Sequence, residues 1–132
     1  MDNDKEAIIK YRLERSKMTI NEAKIAIENN QLFLAENRIY YSIFYIVSAL
    51  AIKNNFSTSK HTQLIGWFNK NFVSTDKVSK EIGEIYKTAF ENRQEGDYED
   101  FTTFELEDVK RDFFNMLRFI EEIEKLLEVE QP

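Results

Sequence analysis

Apolar residues recur along this chain at helical spacing almost from end to end. Ile9, Leu13, Ser16, Ile20, Ala23 and Ile27 are spaced four, three, four, three and four residues apart, which places them on one face of a first helix. Asn29-Asn30 interrupts the pattern. From Gln31 to about Asn54 the chain is apolar nearly all round, as the inner helix of a bundle must be. Asn54-Asn55 ends that segment. Ser57-Thr58-Ser59 then offers an N-cap for a shorter helix of about Lys60 to Phe72, whose apolar face is Leu64, Ile65, Phe68 and Phe72 with Trp67 alongside. Ser74-Thr75-Asp76 reads as the next loop and cap. A fourth helix carries Val78, Ile82, Ile85 and Ala89 to about Arg93 or Glu95, with Gly96 as its terminator. Residues 95–103 read as an acidic loop. Phe104-Glu105 opens a fifth helix in which Leu106, Val109, Phe113, Met116, Ile120, Ile123 and Leu127 alternate three and four apart. Three such heptads fit a long bundle helix or a dimer seam. No repeat and no strand alternation is present. The pattern predicts an all-α fold, an antiparallel up-and-down bundle of four long helices plus a short one, in a single domain over residues 1–132.

Composition narrows the function classes. The 132 residues contain no Cys, one His, one Pro and three Gly. A disulfide framework, a Cys-ligated metal site, a cysteine nucleophile and a multi-histidine metal site are excluded, so neither metal nor other cofactor is expected. A chain this long buries about two thirds of its surface on folding and needs no such staple. The most apolar run, Ile39 to Ile52, falls short of the roughly 20 residues that span a bilayer. The opening Met1-Asp2-Asn3-Asp4-Lys5-Glu6 has no apolar core of a signal peptide. A soluble, cytoplasmic protein with no membrane partner is expected.

Charge is uneven. Residues 1–30 balance, residues 31–75 carry four basic and one acidic side chain, and residues 76–132 carry eight basic and seventeen acidic, giving the net −6. Strong stand-alone nucleic-acid binding draws on Lys and Arg and is not expected of the chain as a whole. A local positive face in the middle third is compatible with the count. The acidic last third suits a basic protein partner.

Two stretches carry chemistry. In Ala35-Glu36-Asn37-Arg38-Ile39-Tyr40-Tyr41-Ser42-Ile43-Phe44, an Arg and two Tyr enter an apolar helix near its start. Tyr40 and Tyr41 fit core aromatics with hydroxyls at the rim, and Arg38 fits a partner of Glu36 or of the acidic loop. In Phe90-Glu91-Asn92-Arg93-Gln94-Glu95-Gly96-Asp97-Tyr98, Arg93 precedes Tyr98 by five residues. An Arg there can grip a phosphate with two donors, or simply pair with Asp97 one turn on. His61, at the start of the third helix, is a surface or capping residue, or a general base or acid if the fold brings it to Arg93.

These pieces, in this order, resemble the HEPN family of small prokaryotic helical proteins. The matching stretches are Arg38 to Phe44, Lys60-His61 through Trp67 to Val73, and Ala89 to Tyr98, within a resemblance covering roughly residues 5–128. The resemblance implies a helical bundle acting as a homodimer, and either a metal-independent endoribonuclease or one half of a toxin–antitoxin pair with a minimal nucleotidyltransferase. The family's catalytic motif is an Arg followed four to six residues later by a His, across the dimer interface. Arg93 matches the Arg. The His position holds Tyr98, and no His follows Arg93. The modified Tyr of the related toxin motif falls on Asp100.

The departure matters, because cleavage through the RNA 2′-hydroxyl needs a base near neutral pKa and a phenol at about 10 is poorly matched. The resemblance therefore implies a catalytic set of Arg93, Tyr98 and His61, with His61 as substitute base, and Arg38, Tyr41 and Arg93 as RNA- or nucleotide-binding residues. The competing expectation is a non-catalytic dimeric module that docks a nucleotidyltransferase or other basic partner through residues 91–100.

Overall fold

The computed structural model describes residues 2–98 and 103–128, with side chains over 3–94 and 103–128. It comprises α1 (Asp2–Glu28), α2 (Leu32–Lys53), α3 (His61–Phe68), α4 (Lys80–Tyr98) and α5 (Leu106–Glu128). A single π turn, Asn69–Val73, follows α3. The predicted all-helical bundle of four long helices and a short one is what forms.

The two Asn pairs end their helices by the same device. Asn30 and Asn55 take the left-handed conformation, at φ 56° and 64°. After each, the chain folds back on the helix it leaves. Gln31 N–H donates to Ala26 O at 2.8 Å and Asn30 N–H to Ile27 O at 3.0 Å; Phe56 and Asn55 repeat this onto Ala51 and Ile52. This is a Schellman closure with Asn in the place usually held by Gly.

The middle helix is the core of the bundle. In α2, Ile39, Ile43, Ile46, Val47 and Leu50 are buried, as are Ala35, Ala49 and Ala51 between them. Each large apolar side chain removed from water contributes about 1.5–3 kcal/mol. Its neighbours run up and down around it. Ser16 Oγ of α1 donates to Ser42 O at 2.8 Å, and the small Ser16, Ala23 and Ala26 let α1 approach closely. Lys53 Nζ at the end of α2 donates to Leu127 O at the end of α5 at 2.6 Å, so those two helices are parallel. Asn92 near the end of α4 meets Asp112 near the start of α5 at 3.1 Å, so that pair is antiparallel. The heptad face of α5 buries Val109, Met116, Ile120, Ile123 and Leu127 within the chain's own bundle, which decides against a dimer seam there.

Three local expectations are corrected. The α3 helix starts at His61 with Lys60 at the cap position and no side-chain cap. The Thr58 hydroxyl works within the loop instead, accepting from Lys60 N–H and donating to Gln63 Oε1 at 2.6 Å. The cap of α4 is Ser79, whose Oγ accepts from Ile82 N–H at 3.2 Å; Asp76 sits in the left-handed region at φ 61° and terminates rather than starts a helix. Finally, α4 runs past Gly96 to Tyr98. One interior Gly costs a helix only about 1 kcal/mol and need not stop it. Gly83 has a packing reason: a Cβ there would stand 2.9 Å from Val73 Cγ2 of the π turn.

Candidate functional site

Tyr40 and Tyr41 are adjacent on α2, so their side chains diverge by about a quarter turn. Tyr40 is fully buried and Tyr41 half-buried. Their rings meet edge to face at 5.2 Å between centroids. The chain then brings three cationic or titratable groups onto this pair, from three parts of the sequence. His61, the first residue of α3, sets its Nδ1 2.5 Å from the Tyr40 hydroxyl. Its ring stacks on Phe44 at 4.6 Å and lies edge-on to Tyr41 at 5.8 Å. Arg93, from α4, places its guanidinium 5.6 Å from the Tyr40 ring centre and 5.5 Å from that of Tyr41. Arg38, from α2, sits 5.3 Å from the Tyr41 ring centre. Each is within the range of cation–π attraction.

The expected Arg38–Glu36 pair does not form. Arg38 Nη1 pairs with Glu22 of α1 at 2.9 Å, and Asn37 Oδ1 accepts from its Nε and Nη2. Glu36 lies on the buried side of α2, where Arg38 cannot follow it. The side chains of Asp97 and Tyr98 lie outside the described residues, and with them the expected Arg93–Asp97 pair and the Tyr98 half of the candidate catalytic set.

Electrostatics at the cluster favour a neutral imidazole. Burial lowers the His61 pKa from 6.5, and the nearby Arg93 charge lowers it further. Burial raises the Tyr40 phenol well beyond its usual 10 and outweighs the opposing pull of Arg93, so Tyr40 stays protonated. The roles in the short Tyr40–His61 bond follow the imidazole tautomer. With Nδ1–H donating to the phenol oxygen, Nε2 carries the lone pair of a base. With the phenol donating to Nδ1, Nε2–H is a proton donor. Tyr40 thus orients an imidazole that can serve either task, much as a second group orients a catalytic His elsewhere.

Two features escaped the sequence reading. In the sequence Tyr40 fits a core aromatic with its hydroxyl at the rim, but in the fold it is the residue on which His61 and Arg93 converge. Glu36 is 1% exposed, with the Asp112 carboxyl and the Asn92 amide as its polar neighbours. Asp112 stands beside it, held by Asn92. Burial first, then the Asp112 carboxyl, push Glu36 up to about 10. The signal was legible: Glu36 falls three and four residues before Ile39 and Tyr40, on the apolar face of an inner helix. Asn92 directly precedes Arg93, so this polar knot also anchors the turn of α4 that presents the guanidinium.

Among the described residues, no group of three or more His, Cys, Asp or Glu side chains is placed to hold a metal ion, and no helix is long and apolar enough to cross a membrane.

Comparison with known proteins agrees with this architecture. The HEPN domain model matches residues 9–128. A UPF0332 protein of Thermotoga maritima is 44% identical over 126 residues, 96% of either chain. A protein of Methanocaldococcus jannaschii named as a putative toxin is 32% identical over 98 residues, 69% of this chain and 66% of that one. The chain belongs to the HEPN domain family.

Proposed function

We propose that this protein binds single-stranded RNA at the half-buried Tyr41, beside Arg93, Arg38 and His61, and cleaves it without a metal, as the toxin half of a pair with a nucleotidyltransferase. The observation that carries the reading is the convergence of His61, Arg93 and Arg38 on two adjacent tyrosines, from α3, α4 and α2. Two guanidiniums beside aromatic rings are a local anion and base site on a chain of net −6. The name of the Methanocaldococcus relative fits a toxic activity.

The chemistry follows from the groups present. His61 Nε2 removes the 2′-hydroxyl proton, and the 2′-oxygen attacks the adjacent phosphorus. The phosphorus–O5′ bond breaks, giving a 2′,3′-cyclic phosphate and a 5′-hydroxyl. Arg93 holds the non-bridging oxygens, whose charge grows in the transition state, and Arg38 joins it by exchanging its Glu22 partner for the phosphate. Tyr98, five residues beyond Arg93, donates the proton that the leaving O5′ takes up. In a homodimer two such sites come together, and their Arg93 residues offset the acidic total. Phe33 and Leu34, 48% and 47% exposed, provide an apolar contact surface one turn before Arg38 on α2.

The test is incubation of a mixed RNA with the purified protein in EDTA, beside Arg93→Ala, His61→Ala and Tyr98→Phe. Cleavage by the parent, lost in Arg93→Ala and His61→Ala, supports the reading. A folded parent that leaves RNA intact overturns the catalytic part. The second reading, a non-catalytic module docking a nucleotidyltransferase, rests on Tyr98 standing where the family motif has His, and pull-down of such a partner by a protein inert toward RNA would favour it.

A further inference from the structure

His61 also forms part of a second feature, on the side of α2 that faces α1. A cavity of about 620 Å³ opens between α1, α2 and the loop into α3, within the size range of small-ligand sites. Phe44, Tyr45 and His61 give it three half-buried aromatic walls. Tyr11 of α1 stands at its rim, 60% exposed. Tyr45 is fixed in place: Arg15 lies over its ring at 5.1 Å and donates to its hydroxyl at 3.4 Å. Arg12 lines the cavity, as do the hydroxyl-bearing residues of the Ser57-Thr58-Ser59 loop, and no acidic residue does. The cavity of about 360 Å³ between α4 and α5 is the opposite, with Glu81, Glu84 and Asp112 in its lining and Arg118 engaged by Glu81.

Flat aromatic faces accept any base by stacking, a nearby unopposed Arg accepts the phosphate attached to it, and hydroxyls can bond a base edge. A purely apolar ligand would make no use of Arg12 or of the Ser57 and Ser59 hydroxyls; the Thr58 hydroxyl is already engaged by Lys60 and Gln63. We infer that this cavity is a second nucleotide subsite, which holds the base and phosphate of an RNA residue next to the one engaged by Arg93 and His61. It rests on the reading of the chain as RNA-directed and extends it. The RNA then crosses α2 at His61, and the subsite sets which linkage lies before the imidazole.

The experiment is fluorescence anisotropy of a fluorescein-labelled, fully 2′-O-methylated 12-nucleotide RNA, which cannot be cleaved. Binding is measured against salt for the full chain, Tyr11→Ala, Arg12→Gln and Arg93→Ala, each checked for helical content by circular dichroism. Loss of one stacking surface weakens Tyr11→Ala by about fivefold or more. Loss of one phosphate contact lowers the slope of log affinity against log salt in Arg12→Gln by about 0.7. If Arg93→Ala loses affinity while Tyr11→Ala and Arg12→Gln match the parent in affinity and slope, the subsite is refuted and the primary site stands. If the folded parent binds no RNA at any salt, the RNA reading falls, and the subsite with it.

Discussion

Replacing Glu36 with Gln should stabilise the protein at neutral pH, and the size of the gain follows from burial. Glu36 is 1% exposed beside the Asp112 carboxyl, and its pKa is pushed from 4.5 to about 10. Between those limits the folded state holds a proton that the unfolded chain has shed. The native state therefore binds more protons, and stability falls as pH rises through the window. The slope is about 1.4 kcal/mol per pH unit. From pH 5.5 to pH 8, inside the window and above the pI of 4.9, the wild type should lose about 3 kcal/mol through this residue. Glu36→Gln is nearly isosteric, has no proton to release, and can donate its amide to Asp112. Urea unfolding followed by circular dichroism, at several pH values from 5.5 to 8, reads the difference between the two proteins. That difference should widen steadily with pH in favour of the variant. Parallel curves would show that Glu36 is ionised and paired, and the account of this knot would be wrong.

Other perturbations have equally definite outcomes. Tyr86 is fully buried and its hydroxyl has no hydrogen-bond partner among the described residues, so Tyr86→Phe should raise stability by about 1 kcal/mol in a thermal melt; a loss of that size would reveal a partner. Gly83→Ala should destabilise the protein because of the 2.9 Å approach to Val73. In a Val73→Ala background the same change should stabilise it by about 1 kcal/mol through helix propensity, and equal effects in both backgrounds would remove the steric argument. At Asn55, with φ 64°, substitution by Gly should be close to neutral in urea melts and by Ala should cost about 1 kcal/mol; an Ala variant as stable as the Gly variant would show that the left-handed turn is not holding the end of α2.

The bundle was legible because its signal is repetitive. Every long helix repeats its apolar face over several turns, and α2 shows its central place by being apolar all round. The helix ends were read less well where the decisive residue lies one turn from the obvious candidate. Ser79 caps α4 rather than Ser74 to Asp76 because the chain first needs Asp76 in a left-handed turn. The site was partly legible. Arg38 and Tyr41 stand out as polar residues in an apolar helix, His61 as the chain's one His and Arg93 as an Arg shortly before Tyr98, and the fold does bring these four together. Tyr40 and Glu36 were harder to assign, since a buried tyrosine and a buried acid differ from ordinary core and surface residues only through contacts with α3, α4 and α5. Sequence separation, 21 residues from Tyr40 to His61 and 20 from Asn92 to Asp112, hides such contacts from any local pattern.

The central claim is that His61 and Arg93 act together on one phosphate. The chain has a single His, so its Cε1–H resonance belongs to no other imidazole. The decisive measurement is a ¹H NMR titration of His61 against pH in the parent and in Arg93→Ala, with and without the 2′-O-methylated RNA. The account predicts a midpoint below 6.5 in the parent, a higher one in Arg93→Ala, and a displacement by RNA that Arg93→Ala abolishes. A His61 signal that titrates alike in both folded proteins and ignores RNA would contradict it.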